Sequence, residues 1–325
     1  MSKLRTELAA FFKCNNNCIH CMAWKPSVTL KTNWAPLPKE DFSLKDFKYL
    51  LKKNILLRNA PVVFSGGEPT LIPQLIDMVA LLRQKGYREI LLQTNGRMLC
   101  YEDFCLRLIR AGVSGFGISI NGSSAAVHER MTRMPGSFHQ TMTGLKNLLA
   151  IKHDLPHLKI TTHTTLTKIN LTDLAALLNI FIGKQGIDTI VLNPLWLQGN
   201  AIMHHRQLLV PYTDIALKFK RAIKKVTGSN NLALPKISIT DFPFCVAADL
   251  MDYIGTPEQG PVIGHDETIP HTGLKTGPPN IKNRMCRTCC YFSVCAGIPP
   301  LYIAKFGWGE FHPVAHIKPL HKFSK

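Results

Sequence analysis

Three features of this 325-residue sequence predict an α/β fold built on parallel strands. Short apolar runs alternate with stretches of helical period, the helical stretches stop at glycine, and the strand-like runs end in polar turns. Repeated β-α units produce that order, and right-handed crossovers wind them into a curved sheet or barrel. Ligands in such folds collect at the carboxyl ends of the strands.

The units follow in order. Val62 to Phe64 is a short buried strand ending in S-G-G-E-P-T (residues 65–70), and Leu71 to Lys85 is helical up to Gly86. Glu89 to Thr94 is the next strand, closed by Asn95-Gly96, and the helix Tyr101 to Ala111 ends at Gly112. Gly115 to Ile120 is a strand closed by Asn121-Gly122. Helix Ser137 to Lys152, strand Lys159 to Leu166, helix Leu171 to Lys184 and strand Asp188 to Leu195 complete the series. The rhythm breaks near Gln198. Helix Pro211 to Thr227 is still regular, but Ile254 to Asn280 is rich in Gly, Pro and polar residues and reads as loop.

The predicted strand ends gather the chemistry. Ahead of the first unit lies F-F-K-C-N-N-N-C-I-H-C-M-A-W (residues 11–24), where Cys14, Cys18 and Cys21 are close enough for one loop to aim three thiolates at one centre. An iron–sulfur cluster normally takes four thiolates, so a trio leaves one iron open to a small ligand. A structural zinc site with His20 as fourth ligand is the alternative. Near the other end, Cys286, Cys289 and Cys295 have metal-site spacing with Cys290 beside them, and Cys245 supplies a distant fourth thiolate. Such a set makes a closed zinc site or a fully ligated cluster. Cys100 and Cys105 read as buried, inert thiols.

Composition narrows the class. Hydrophobic content of 46% with 18% charged residues is that of a folded globular chain. No apolar run is long enough to span a bilayer and the N-terminus lacks a secretory signal, so a cytoplasmic protein is expected, with no membrane partner. Ten cysteines there point to metal or redox chemistry before disulfides. The net charge of +18 is spread evenly: residues 1–200 hold 24 Lys+Arg against 13 Asp+Glu, and residues 201–325 hold 15 against 8. The densest run, Lys218 to Lys225, reads as the solvated face of an amphipathic helix. A generally basic surface suits an anionic substrate; nucleic acid is allowed but nothing specific indicates it.

C-x3-C-x2-C after a first strand and S-G-G-E-P-T after the second, with T-N-G (94–96), S-I-N-G (119–122) and H-E-R-M-T-R-M-P-G-S-F (128–138) following, together resemble the radical S-adenosylmethionine (SAM) superfamily over roughly residues 8–200. The resemblance implies a partial (βα)6 parallel barrel. It implies a 4Fe–4S cluster on Cys14, Cys18 and Cys21 whose open iron is chelated by SAM, and reductive cleavage of SAM to a 5′-deoxyadenosyl radical that takes hydrogen from substrate. Gly66 and Gly67 would allow close backbone approach, and Glu68 would orient the SAM ammonium. Thr94 and Asn95 are further cofactor-binding candidates. Ser119 and Asn121 would meet SAM, or serve only the turn, for which S-I-N-G is also suited. Relatives often carry Arg where this chain has Thr132, so Arg130 and Arg133 are both candidates for the SAM carboxylate. His20 is expected to lie over the cluster or adenine rather than ligate.

The C-terminal cysteines resemble the twitch or SPASM auxiliary-cluster domains of the same superfamily, although the full SPASM pattern has more cysteines. That implies a C-terminal cysteine-rich extension with a second 4Fe–4S cluster on Cys245, Cys286, Cys289 and Cys295; zinc, or Cys290 in place of one ligand, are the alternatives. Tyr302, Gly307, Glu310 and Pro313 suggest a folded segment closing over it. The expected division is residues 1–228 for the radical SAM core and 229–325 for the auxiliary domain. The expected function is hydrogen abstraction from a peptide or small anionic substrate in peptide maturation or cofactor biosynthesis, with an electron donor such as flavodoxin or ferredoxin. The rivals are an RNA- or tRNA-modifying enzyme of the same superfamily and a non-catalytic, zinc-stabilised nucleic-acid-binding protein. The ending H-K-F-S-K, unlike the Gly-Gly of the molybdenum-cofactor cyclase branch, counts against that branch.

Overall fold

The computed structural model describes residues 5–11, 13–22, 42–228, 234–255, 261–263, 271–272 and 280–316. The A-W end of the cysteine stretch and the H-K-F-S-K ending lie outside these residues. The chain begins with β1 (Thr6–Phe11), then α1 (Leu44–Lys52), β2 (Val62–Gly66), α2 (Leu75–Gln84), β3 (Ile90–Thr94) and α3 (Glu102–Ala111). β4 (Gly115–Ser119), α4 (Ala125–Thr132), α5 (Ser137–Asp154), β5 (Lys159–Leu166), α6 (Leu174–Gly183) and β6 (Thr189–Pro194) follow. Two short helices, α7 (Asn200–Met203) and α8 (His205–Leu208), lead to α9 (Tyr212–Thr227), β7 (Lys236–Ile239), β8 (Pro261–Ile263), β9 (His271–Thr272) and α10 (Pro300–Phe306).

The strands form one sheet in the order β7-β6-β5-β4-β3-β2-β1-β8-β9, with every neighbouring pair parallel except β8 and β9. The six-strand open barrel expected from sequence is its centre. Two corrections apply at its edges. β7 adds a seventh strand beyond β6, and β8 and β9 fall inside the stretch read as loop. P-V-I at 261–263 is too short, and too closely flanked by glycine, to be read as a strand locally; it exists because β1 offers it an edge. The helix expected from Leu71 begins instead at Leu75. Pro69–Leu71 is a 3-10 turn, and Pro73 forces Ile72 into extended backbone (ψ 118°).

Strand register separates the two faces of the sheet. Leu8, Phe64, Leu92, Phe116 and Ile160 align across five strands, all buried, on the face that the helices cover. Burying each contributes about 2 kcal/mol. The opposite, concave face is polar: Gln93, Gly117, Thr161 and Thr189 form one row, and Ser119 and His163 pair in another. A Cβ at Gly117 would come within 3.0 Å of His163 Nε2, so glycine there gives the imidazole its place. Burial first, and the Arg5 charge second, hold His163 at about 4, so the ring is neutral at physiological pH.

Candidate active site

The loop after β1 carries Cys14, Cys18 and Cys21, and its shape is fixed from several sides. The carbonyls of Met131 and Thr132, left without helical partners at the end of α4, accept the Ile19 and Asn17 N–H groups, each at 2.9 Å. Asn200 at the start of α7 donates its backbone N–H to the Cys21 carbonyl (2.9 Å) and its Nδ2 to the Cys18 carbonyl (3.1 Å). Arg97 donates to the Asn15 carbonyl and to Asn16 Oδ1 (3.1 Å), while its Nε is held by Gln140 Oε1 at 2.6 Å. Ile19 is buried and anchors the middle of the loop.

The end of β2 meets this loop directly. Gly66 has φ of 113°, which a residue with a Cβ rarely adopts, and Glu68 N–H donates to the Lys13 carbonyl at 2.7 Å. The Glu68 carboxylate is 1% exposed. Its Oε1 accepts from Thr70 N–H (3.1 Å), Thr70 Oγ1 (2.6 Å) and Thr94 Oγ1 (2.6 Å), and its Oε2 accepts from Asn95 N–H (2.7 Å). Burial pushes its pKa up while these four donors pull against it. Three donors on Oε1 and one on Oε2 leave acceptor capacity on Oε2, since each carboxylate oxygen takes about two hydrogen bonds. Asn95 completes the link, its Nδ2 donating to Asn15 Oδ1 (2.6 Å) and reaching Cys14 Sγ at 3.8 Å. Cys14, Thr94, Asn95, Gly66, Gly67 and Glu68 therefore form one connected unit.

The remaining sequence candidates stand differently. Ser119 is half-buried on the concave face beside His163. Asn121 is buried and committed to its turn: its N–H meets His128 Nδ1 (3.2 Å), its Oδ1 takes Thr165 N–H (3.0 Å), and its carbonyl takes Asn170 Nδ2 (3.0 Å). Thr132 is buried, its hydroxyl 2.8 Å from that of Ser137, and it acts on the cysteine loop through its backbone. Arg130 and Arg133 are exposed on either side; Arg133 adopts a left-handed conformation (φ 53°) and lies 3.1 Å from His204 Nε2. Burial lowers the His20 pKa to about 4, which keeps the ring uncharged beside the loop. Arg97, Gln140 and Asn200 had not been singled out from sequence. Arg97 directly follows T-N-G, the one local signal for it.

The C-terminal cysteines surround a second centre. Cys245, Cys286, Cys289 and Cys295 all line one small, partly open pocket, together with Phe244, Tyr291, Trp308 and Phe311. The Phe244 and Tyr291 rings stack at 4.7 Å and 16°, clamping the Cys245 turn to the later cysteines. Cys290 does not line the cavity, and its N–H is tied to the Val314 carbonyl at 2.9 Å. Burial, then the neighbouring Cys295, Cys289 and Cys286 thiols, push Cys245 up to about 12, so it ionises only with a cation's help. Among the described residues no three His, Cys, Asp or Glu side chains converge on a single metal-ion position.

A C-terminal segment ties this region to α9. Tyr302 accepts the Tyr212 N–H at 2.7 Å and donates to Glu310, which in turn takes the Thr213 N–H at 2.8 Å. The Tyr212 and Tyr302 rings lie 4.6 Å apart, with Phe311 against both. Burial and the Glu310 carboxylate drive the Tyr302 pKa upward, so the phenol keeps the proton that it donates.

No described helix is long and apolar enough to cross a membrane. A family model described as the radical SAM superfamily matches residues 10–180. An AdoMet-dependent heme synthase of Methanosarcina barkeri is 29% identical over 161 residues, which are 50% of this chain and 42% of that protein. The matched stretch thus spans less than half of that relative. Among solved structures, anSMEcpe with bound AdoMet superposes with a TM-score of 0.62 at 15% identity, covering 90% of this chain and 87% of that one. Streptococcus suis SuiB bound to precursor peptide SuiA also gives 0.62, at 12% identity, covering 97% and 76%.

Proposed function

The chain belongs to the radical SAM superfamily, and from that premise we propose that it is an enzyme that reductively cleaves SAM and abstracts a hydrogen atom from its substrate. The carrying observation is the hydrogen-bonded continuity from Cys14 through Asn95 to Glu68, which makes the three-cysteine loop and the Gly66-Gly67-Glu68 strand end one site. When bound, a 4Fe–4S cluster on Cys14, Cys18 and Cys21 supplies the electron that breaks the sulfonium and yields the 5′-deoxyadenosyl radical. The protein's part is geometric and electrostatic. Glu68 Oε2 offers an anionic acceptor to the SAM ammonium, Gly66 and Gly67 leave room for it, and Thr94 and Asn95 hold the carboxylate in place. Ser119, with Asn121 behind it, borders the concave face, and Arg130 or Arg133 serves the SAM carboxylate.

The substrate is a peptide or small anionic molecule, and the setting is peptide maturation or cofactor biosynthesis. Exposed Arg133 and Lys168 stand on the loops after α4 and β5, and exposed Arg130 lies in the last turn of α4. The nearby acids are engaged: Glu68 as described, and Asp173 with both oxygens on Ser123. That leaves a cationic approach, which favours anions. Residues 229–325 are assigned to an auxiliary-cluster unit on Cys245, Cys286, Cys289 and Cys295; β7 and β8 join the core sheet, so this division follows the cysteines. Anaerobically reconstituted protein is expected to be brown, to carry about seven to eight irons per chain, and to release 5′-deoxyadenosine from SAM with a reductant. Colourless protein inert toward SAM would sink the proposal.

A further inference from the structure

The concave face of the sheet holds an open trough in which no cofactor-binding role has been placed. Along β3, β5 and β6 every second residue is buried, and the residues between them are part-exposed on the concave side. Gln93, Thr161 and His163 lie at the centre of this trough. A Cβ at Gly117 would stand 3.0 Å from His163 Nε2 and 3.4 Å from Gln93 Cγ. The imidazole thus reaches across β4 toward β3, through space that a side chain would fill. His163 is level with Ser119, so the trough runs up to the turn that borders the SAM site. Among the described residues, no protein group hydrogen-bonds the side chains of Gln93, Thr161 and His163. Charge is kept away from this centre. Glu7 is held by Arg5 at 2.8 Å and by Ser65 Oγ at 2.6 Å, while Lys159 and Lys236 stand exposed at the amino ends of their strands. The cationic approach formed by Arg133 and Lys168 lies beyond the opposite ends, on the loops.

The His163 ring is neutral at physiological pH, and a neutral imidazole carries one donor and one acceptor. The Gln93 amide and the Thr161 hydroxyl likewise both donate and accept. An amide of a ligand matches such a set, because it too does both. A phosphate or carboxylate only accepts, and here its charge would be set among neutral groups at a desolvation cost. We infer that the trough seats an uncharged peptide segment of the substrate, with His163 and Gln93 pairing to one of its amides. The inference rests on the radical SAM reading above and narrows its substrate from two classes to one. His163 is then a specificity-determining residue. Gly117 belongs to the same device, since a larger residue there would displace the ring.

The test uses the anaerobically reconstituted full chain with SAM and no reductant. The probe is a library of uncharged tetrapeptides, N-acetylated and C-amidated, and the competitor is a mixture of nucleoside triphosphates and dicarboxylic acids. Retention on ultrafiltration is read by mass spectrometry. Wild type is expected to retain the capped peptides, and the anions should not displace them. H163A should retain them roughly tenfold less, and H163Q, which keeps a donor and an acceptor, should recover part of that loss. T161V should lower retention by a smaller factor; because Val keeps the shape of Thr, it is the variant read if H163A folds poorly. Displacement by the anions, equal retention by wild type and the variants, or no retention of peptides overturns the trough assignment. Release of 5′-deoxyadenosine by wild type with a reductant is measured in parallel. Protein that retains the peptides through His163 but is inert toward SAM fails the radical SAM reading alone.

Discussion

The two cysteine centres are built on opposite plans. The three-cysteine loop is held by polar staples: helix-end carbonyls, Asn200, Arg97 and the Asn95–Glu68 link, with Cys14 exposed. The four-cysteine pocket is held by ring stacking and apolar packing, with its four cysteines half-buried around a partly open space. The first plan leaves a corner for a polar ligand and surrounds it with groups that bind charge. The second lines its pocket with four cysteines and aromatic rings. A site that must admit a substrate needs hydrogen-bonded rigidity, whereas a site that only stores or relays an electron can be made by packing.

Breaking either centre should separate them most sharply. C14A/C18A/C21A should lower iron by about four per chain and abolish 5′-deoxyadenosine formation, measured by chromatography. C245A/C286A/C289A/C295A should lower iron equally yet retain SAM cleavage in part. If both variants behave alike, the centres are not distinct in role. Within the pocket, C289S should lose the auxiliary iron and C290S should keep it, because Cys289 lines that space and Cys290 does not.

Smaller effects probe the staples. R97A removes donors to Asn15 and Asn16, at a cost of about 1–3 kcal/mol in lost charge-assisted hydrogen bonding. Iron should leave the first centre faster under chelator challenge, with the second unaffected. The reverse order of loss would contradict the polar-staple picture.

Acid should also act on the first region. His128 is fully buried with Nδ1 accepting the Asn121 N–H, and burial holds its pKa at about 4. A ring with a folded pKa below its unfolded value near 6.5 binds its proton on unfolding. Its contribution is therefore intact above about pH 6.5 and is lost as pH falls toward 4, by up to about 3 kcal/mol. Denaturant titrations of wild type and H128N across that window should converge as pH drops; a gap of constant size would show that His128 is not the titrating group.

Much of the first centre was legible because its chemistry is local. Three cysteines in one loop and Gly66-Gly67-Glu68 at a strand end carry their meaning within a few residues, and strand Lys159–Leu166 matched residue for residue. What escaped was set by distant partners. β8 depends on the edge of β1, and Arg97 and Asn200 gain their roles only when the fold brings them to a loop far away in sequence. Cys286, Cys289 and Cys295 could be grouped by spacing, but that Cys245 joins them around one pocket while Cys290 stands outside its lining could not. Asn121, read as a SAM contact with the turn as the alternative, is held by three turn contacts.

The place of β1 between β2 and β8 bears on how the protein is made. One edge of the strand that leads into the first cysteine loop finds its neighbour soon after Gly66 emerges from the ribosome. Its other edge waits until Ile263 has been synthesised. At about 5–20 residues per second that interval is about 10–40 s, during which the loop's root is paired on one side only. A nascent polypeptide that stalls before β8 therefore carries the first cysteine loop on a strand with one edge unpaired.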